Sequence, residues 1–164
     1  MNRFPETIEH YMSSVLVTVD PSWPAGEALR LMREHEIRHL PVVRANKVIG
    51  LVSRSAVETS RGSRSARPVA IADVMESRPH VVDPEEPASF VARGMAERHV
   101  DCALVAHGDR LHGLFTTTDA LLALAACLED ENVPGDARIP PARPAKKKAR
   151  RTKAAKKRTS KASR

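Results

Sequence analysis

An internal repeat is the dominant feature of this sequence of 164 residues. Shifted by 63 residues without a gap, Ile8–Ala56 matches Ile71–Asp119 at 14 positions, including a shared Val-Asp-Pro at 19–21 and 82–84. An ungapped match of this length predicts two copies of one supersecondary unit that bury their apolar faces against each other. Function should therefore depend on what the seam between the two copies can hold.

The same order of elements is predicted in each copy. A β-branched run is followed by apolar residues at helical spacing, by two apolar runs that flank a polar turn, and by a further helical stretch. The sequence thus predicts an α/β (α+β) fold of two β-α-β-β-α repeats related by pseudo-twofold symmetry. The predicted boundaries are repeat one at 1–58, a polar linker at 59–67, repeat two at 68–131 and a tail at 132–164. The apolar stripes are Ala25, Ala28, Leu29 and Met32 in repeat one, Ala88, Val91, Ala92 and Met95 in repeat two, and Leu121, Leu122, Ala125 and Leu128 in the closing helix.

Charge is divided sharply along the chain. Residues 137–164 contain 13 Lys and Arg and no acid, whereas residues 1–136 contain 14 Lys and Arg against all 20 Asp and Glu. A segment rich in Lys, Ala and Pro cannot bury a core, so the tail is predicted to be disordered when free. Its composition resembles the basic tails of linker histones and histone-like bacterial proteins.

Such a tail should bind the phosphates of DNA or RNA with little sequence preference. It has no aromatic residue for base stacking and no rigid element that could enter a groove. The alternatives are a solubilising tail, or contact with acidic proteins or polyphosphate. The candidate nucleic-acid-binding residues are Lys146, Lys147, Lys148, Arg150, Arg151, Lys153, Lys156, Lys157 and Arg158.

Composition and spacing argue against several other classes of protein. The two cysteines, Cys102 and Cys127, do not make a disulfide framework, and no segment reaches the roughly 18 apolar residues of a membrane span. His35 and His39 are four residues apart, yet a helix containing both would run into the predicted strand at Leu40. No Cys/His grouping has structural-zinc spacing, and no nucleophile has an evident orienting partner. We therefore expect a cytoplasmic protein, with nucleoid association through the tail, that is not an enzyme and requires no metal or cofactor.

Four sequence marks point to a known family. They are a Met that closes each lead-in turn (Met12, Met75), the Val-Asp-Pro strand end, the stretch IRHLPVV at 37–43, and the endings GLVSRSA and GLFTTTD. Over about residues 4–130 the chain resembles the CBS domain, and the pair resembles the tandem CBS (Bateman) module, a ligand-sensing regulatory part of many enzymes, channels and transporters. The resemblance implies a disc of paired units with two clefts, which often take adenosine-containing ligands.

The ending of repeat two matches the family's Gly-hydrophobic-hydrophobic-Thr/Ser-x-x-Asp signature in full. The resemblance implies that Asp119 accepts hydrogen bonds from both ribose hydroxyls, since a carboxylate has several acceptor sites, and that Thr116 faces the phosphate side. The alternative is that Thr116 and Asp119 only cap the closing helix. The residues implied for the adenine slot are His80, Val81, Ala103 and Leu104. Apolar walls suit a purine ring, but the same residues would also suit a core.

Repeat one departs from this pattern. Ala56 stands in place of the ribose carboxylate, so the repeat-one cleft is expected to be weak or empty for nucleosides. Arg38 matches a position that is often basic and contacts phosphate, whereas Asp101 occupies that position in repeat two. One competent cleft would need Asp119 for ribose and Arg38, reaching across the seam, for phosphate. The alternative for Arg38 is a solvated charge at a strand edge.

The predicted function is that of a non-catalytic regulatory protein. Its tandem module would sense AMP, ADP, ATP or S-adenosylmethionine, and its tail would bind nucleic acid. We expect a homodimer in which the helical stripes of repeats one and two pair, although those stripes could equally be used inside the chain. The alternatives are a ligand-free dimerisation scaffold for the tail, or a detached regulatory subunit of a separate, unidentified effector protein.

Overall fold

The computed structural model of the chain describes residues 6–14, 17–60 and 68–130. The predicted basic tail, with all its candidate nucleic-acid-binding residues, lies outside the described residues. So does most of the predicted linker. Within the described ranges, no helix is long and apolar enough to cross a bilayer.

Both repeats contain the predicted helices and hairpins, and repeat two contains its predicted first strand. The β-branched run predicted as the first strand of repeat one lies partly outside the described residues, and within them it is represented by a single bridge at Val19. The short strand that precedes it was not predicted. Repeat one comprises a 3₁₀ turn at Ile8–His10, β1 at Ser13–Ser14, α1 at Ala25–Glu34, β2 at His39–Arg44, β3 at Lys47–Ser53 and α2 at Arg54–Ser60. Repeat two comprises a 3₁₀ turn at Ile71–Asp73, β4 at Val81–Val82, α3 at Ala88–Arg98, β5 at Cys102–His107, β6 at Arg110–Thr116 and α4 at Thr117–Asp130. The predicted fold class is confirmed.

Each repeat is built on an antiparallel hairpin. Strands β2 and β3 pair with Leu40 opposite Val52, and β5 and β6 pair with Ala103 opposite Phe115. The strand before each helix adds in parallel: β4 runs along β5, and Val19 forms the equivalent single bridge to Val42. Strand β1 completes the larger sheet, whose order is β1-β6-β5-β4.

The lead-in turns are exchanged between the repeats. The Ala25 amide donates to the Val69 carbonyl at 2.8 Å, and the Ala88 amide donates to the Glu6 carbonyl at 2.7 Å. The two bonds are related by the 63-residue shift, as pseudo-twofold symmetry requires. Ile71 is accordingly buried in the core of repeat one, and Ile8 in the core of repeat two. Each copy of the motif therefore needs the other to complete its core, which makes the pair a single folding unit.

The helical stripes of repeats one and two lie inside the chain. Ala28, Leu29 and Met32 are at most 2% exposed, and Val91 and Met95 at most 5%. They pack on the hairpins of their own repeats, so they cannot form the dimer contact that we expected of them.

The apolar stripe of the closing helix behaves differently. Helix α4 is 14 residues long, twice the length of α2, and Ala120 near its start packs on the core of repeat two. Its later residues are largely exposed, so the stripe that lines this helix does not pack into the core of the chain. The leucines Leu121, Leu122, Leu124 and Leu128 are 53–60% exposed, and Phe90 on α3 is 67% exposed.

Candidate functional site

The Thr116–Asp119 signature lies where β6 passes into α4. The Thr116 backbone amide donates to Asp119 Oδ2 at 2.8 Å, and the Thr116 hydroxyl donates to the same oxygen at 2.7 Å. In return, the Asp119 amide donates to Thr116 Oγ1 at 3.3 Å. These reciprocal bonds form a capping box, which satisfies backbone amides that have no partner within the helix. The capping role considered from the sequence is therefore present.

Capping engages only one of the two carboxylate oxygens. Asp119 Oδ1 accepts a hydrogen bond from Ser13 Oγ at 3.2 Å, across 106 residues of sequence. Ser13 is exposed and reaches this position because β1 pairs with β6, with Ser13 opposite Leu114. Since a carboxylate oxygen can accept more than one hydrogen bond, Oδ1 has acceptor capacity left for a ligand.

Arg38 reaches the same helix from the other repeat. Its Nη2 donates to Thr118 Oγ1 at 3.2 Å, although its own carbonyl accepts the Arg54 amide at the start of α2. The exposed guanidinium thus lies across the seam, one residue along α4 from Asp119. A helix N-terminus favours anions, and a guanidinium adds a full positive charge, so the two together suit a phosphate or another anion.

The four residues predicted for the adenine slot differ in burial. The Leu104 amide donates to the His80 carbonyl at 2.8 Å, and Val81 lies opposite Leu104, so three of them are neighbours. Leu104 is nevertheless fully buried at the seam with Leu51 and Cys102, and Ala103 is fully buried in the core of repeat two. Only His80, which is half-buried, and Val81, which is 51% exposed, present side-chain surface.

His80 is the polar member of this group. Its Nε2 is buried and has no hydrogen-bond partner among the described residues. Burial lowers the pKa of His80, and the nearby Arg98 lowers it further. This nitrogen lies beside α3, since a Cβ added to Gly94 would be 3.6 Å from it, and it is closed to solvent.

Neither an activated nucleophile nor a metal-binding cluster is found among the described residues of the seam. Cys102 is buried, and burial raises the pKa of its thiol to about 12, with further contributions from Asp119, Asp101 and Glu76. Such a thiol stays protonated and inert at neutral pH. No group of three or more His, Cys, Asp or Glu able to hold a metal occurs among the described residues.

Sequence reasoning missed Ser13 and Thr118. Ser13 lies in a lead-in segment that resembles a loop, and it meets Asp119 only because the lead-ins are exchanged. Thr118 is one of the unspecified positions of the signature. No sequence pattern links Ser13 to Asp119, because the two residues are 106 apart and belong to different repeats.

Comparison with protein families gives a match to the CBS domain at residues 8–58 and 71–126. Among curated proteins, the chain is similar to an inosine-5′-monophosphate dehydrogenase of Korarchaeum cryptofilum, with 32% identity over 120 residues. That match covers 73% of this chain but only 24% of the relative, so the chain spans about a quarter of the dehydrogenase's length.

Two solved structures illustrate the similarity in fold. One is the CBS domain pair of protein MJ0100 in complex with 5′-methylthioadenosine and S-adenosyl-L-methionine, with a TM-score of 0.69 and 20% identity. It covers 75% of this chain and 99% of the other. The second is CBSX2 in complex with AMP, with a TM-score of 0.66 and 23% identity, covering 74% of this chain and 98% of the other.

Proposed function

This chain belongs to the CBS-domain family, and from that premise we propose that it is a non-catalytic regulatory protein that senses an adenosine-type ligand. The proposed site is the repeat-two cleft at the start of α4. The observation that carries the proposal is that the two carboxylate oxygens of Asp119 have different partners. Oδ2 belongs to the helix cap, whereas Oδ1 accepts a hydrogen bond from Ser13 at the seam. Capping and ribose recognition are therefore compatible.

Residues near Asp119 are suited to bind the phosphate and the base of such a ligand. Arg38, held beside Thr118, is suited to a phosphate, and His80 with Val81 offers a partly open wall for the base. Proteins of the same fold have been solved with AMP and with S-adenosylmethionine and 5′-methylthioadenosine. An adenosine ligand is accordingly the class we propose. AMP, ADP, ATP and S-adenosylmethionine are the compounds to test.

Calorimetry with these four compounds tests the sensor function. We expect one phosphate-bearing ligand per chain and a loss of roughly 1.5–3 kcal/mol in binding free energy for Asp119→Ala, because charge-assisted hydrogen bonds are removed. Asp109→Ala is the matched control, since Asp109 is an exposed aspartate at the tip of the same repeat's hairpin. If the wild type binds none of the compounds at millimolar concentration, the sensor function is excluded.

For the tail we propose non-specific binding to DNA or RNA, and with it association with the nucleoid in the cytoplasm. The support is compositional: 13 basic residues and no acid in 137–164. If about 6–10 of these cations engage phosphates, affinity should fall about 10³–10⁵-fold between 50 and 200 mM salt. Gel shifts comparing the full chain with a 1–136 truncation test this. Binding that is insensitive to salt or retained after truncation would place the contact on the CBS module.

We also propose a homodimer, now through α4 rather than through the buried stripes. Four leucines on α4 are exposed, as is Phe90 on α3, and a second copy would cover the leucines of α4. This surface favours the second candidate function, a ligand-free scaffold that presents two tails together and gains avidity. Light scattering at tens of micromolar tests assembly. We expect Leu121→Glu and Leu128→Glu to give monomers. Leu31→Glu is not a suitable control, because Leu31 packs against the core of repeat one.

A further inference from the structure

Two positions of the Asp119 site, those of Ser13 and Asp119, hold different residue types in the other repeat. The 63-residue shift places Ala56 opposite Asp119 and Glu76 opposite Ser13. Repeat two thus has a carboxylate on the closing helix and a short hydroxyl on the lead-in strand. In repeat one the short side chain is on the helix and the carboxylate is on the lead-in segment.

The backbone places these residues in equivalent positions. Ser13 lies opposite Leu114, and Glu76 lies opposite Leu51, its counterpart in the alignment. The lead-in carbonyls approach the hairpin glycines equally closely. A Cβ added to Gly113 would lie 2.6 Å from the Ser13 carbonyl oxygen, and one added to Gly50 would lie 2.7 Å from that of Glu76. The side chain of Glu76 therefore starts where that of Ser13 starts.

Reach and space then favour Glu76 as a functional substitute. Ser13 Oγ is already 3.2 Å from the Asp119 carboxylate, so the two side chains converge on one place. Glutamate is longer than serine by two carbon atoms, and Ala56 carries only a methyl group where Asp119 carries a carboxylate. Glu76 is exposed, and its carboxylate has no hydrogen bond or ion pair with any described residue.

We propose that the repeat-one cleft is a second adenosine site in which Glu76, from the opposite wall, accepts the ribose hydroxyls in place of the carboxylate missing at Ala56. This inference rests on the proposed function of the repeat-two cleft. It replaces the expectation that repeat one is weak or empty for nucleosides.

The charge of this second cleft selects a different ligand. Asp101 occupies the position at which Arg38 supplies a cation to the other cleft. The cation at the start of α2, Arg54, forms an ion pair with Glu58, with 3.9 Å between Arg54 Nε and Glu58 Oε1. A phosphate beside Glu76 and Asp101 would be repelled. The site therefore takes an adenosine derivative whose 5′ substituent is neutral or cationic, such as a thioether or a sulfonium group.

Calorimetric stoichiometry with 5′-methylthioadenosine and with AMP tests the inference on the full chain. For 5′-methylthioadenosine we expect two molecules per wild-type chain and one in Glu76→Ser, which restores the residue found at Ser13. Asp119→Ala should likewise retain one, and the double variant none. AMP should bind once per chain, with Asp119→Ala lowering its affinity at least about tenfold and Glu76→Ser leaving it unchanged.

Matched variants separate a local effect from a general one. Glu97→Ser removes an exposed glutamate from α3 and should leave both stoichiometries as in the wild type. Glu76→Gln keeps the side-chain length and should lose the second site as Glu76→Ser does. A single 5′-methylthioadenosine per chain, lost in Asp119→Ala and unaffected by Glu76→Ser, would overturn the second site while leaving the proposed function intact. No binding of either compound to the wild type would overturn both.

Discussion

The two closing helices begin differently although their residues are related by one shift of 63. At the start of α4, Thr116 and Asp119 bond each other reciprocally. At the start of α2, Ser53 Oγ accepts the Ala56 amide at 3.2 Å and lies 3.0 Å from Ser55 Oγ. The backbone contacts beneath them are the same. The Thr117 amide donates to the Asp101 carbonyl at 3.0 Å, and the Arg54 amide donates to the Arg38 carbonyl at 2.8 Å. Main-chain bonds therefore hold the fold in both repeats, and the cleft side chains have diverged.

The glycines at the seam test whether the backbone is equivalent in the two halves. Gly113→Ala and Gly50→Ala should each destabilise the chain by about 1–3 kcal/mol, because the added methyl group meets a backbone carbonyl oxygen at 2.6 or 2.7 Å. Gly26→Ala, in α1 with open space around it, should be neutral or stabilising by up to about 1 kcal/mol. Urea unfolding measures all three. A large difference between the effects at Gly50 and Gly113 would break the equivalence.

The helix caps test how far the two halves differ. Thr116→Ala removes two of the three bonds of the box and should cost about 1 kcal/mol in unfolding free energy. Ser53→Ala removes one bond to the α2 backbone and should cost about half as much. Equal losses in chemical unfolding would mean that the Asp119 carboxylate adds nothing to the cap.

His39 and Cys102 occupy equivalent positions in the two repeats. The smallest expected effect is the dependence of stability on pH that His39 causes. Burial lowers the pKa of His39 below its ordinary value of 6.5, opposed by the nearby Asp101 carboxylate, while Cys102 does not titrate in this range. The unfolded chain then binds more protons than the folded chain just below pH 6.5, so stability is lost as pH falls. We expect the melting temperature to drop by about 1–3 °C between pH 7.5 and 5.5. His39→Gln should reduce this drop, and the exposed-residue control His35→Gln should not.

Much of the fold was predictable from local pattern. Helices α1 and α3 and the two hairpins each follow from residues close together in sequence, and the structure contains them where they were predicted. The exchange of lead-ins was not predictable, because Ile8 and Ile71 have the same apolar character whichever core they enter. For the same reason the contact between Ser13 and Asp119 could not be foreseen across 106 residues. The exposure of the α4 leucines was not predictable, because a helical stripe of apolar residues does not reveal what packs against it.

The difference between the two helix starts also limits what the signature alone can reveal. A motif search finds Asp119 and passes over Glu76, because it compares one strand-to-helix ending with another. That comparison does not include side chains that the lead-in strand contributes to a cleft. Positions that contact each other in space, such as Ser13 with Asp119, are the better unit for deciding whether a cleft can bind.

A crystal structure of the chain with AMP tests most directly whether the start of α4 is a ligand site. We predict one AMP per chain, with a ribose hydroxyl within hydrogen-bond distance of Asp119 Oδ1 and the phosphate at Arg38. Oδ2 should remain bonded to Thr116, so that the helix cap is kept while the ligand is held. AMP bound elsewhere on the module, or a soaked crystal with Asp119 still bonded only to Ser13 and Thr116, would contradict it.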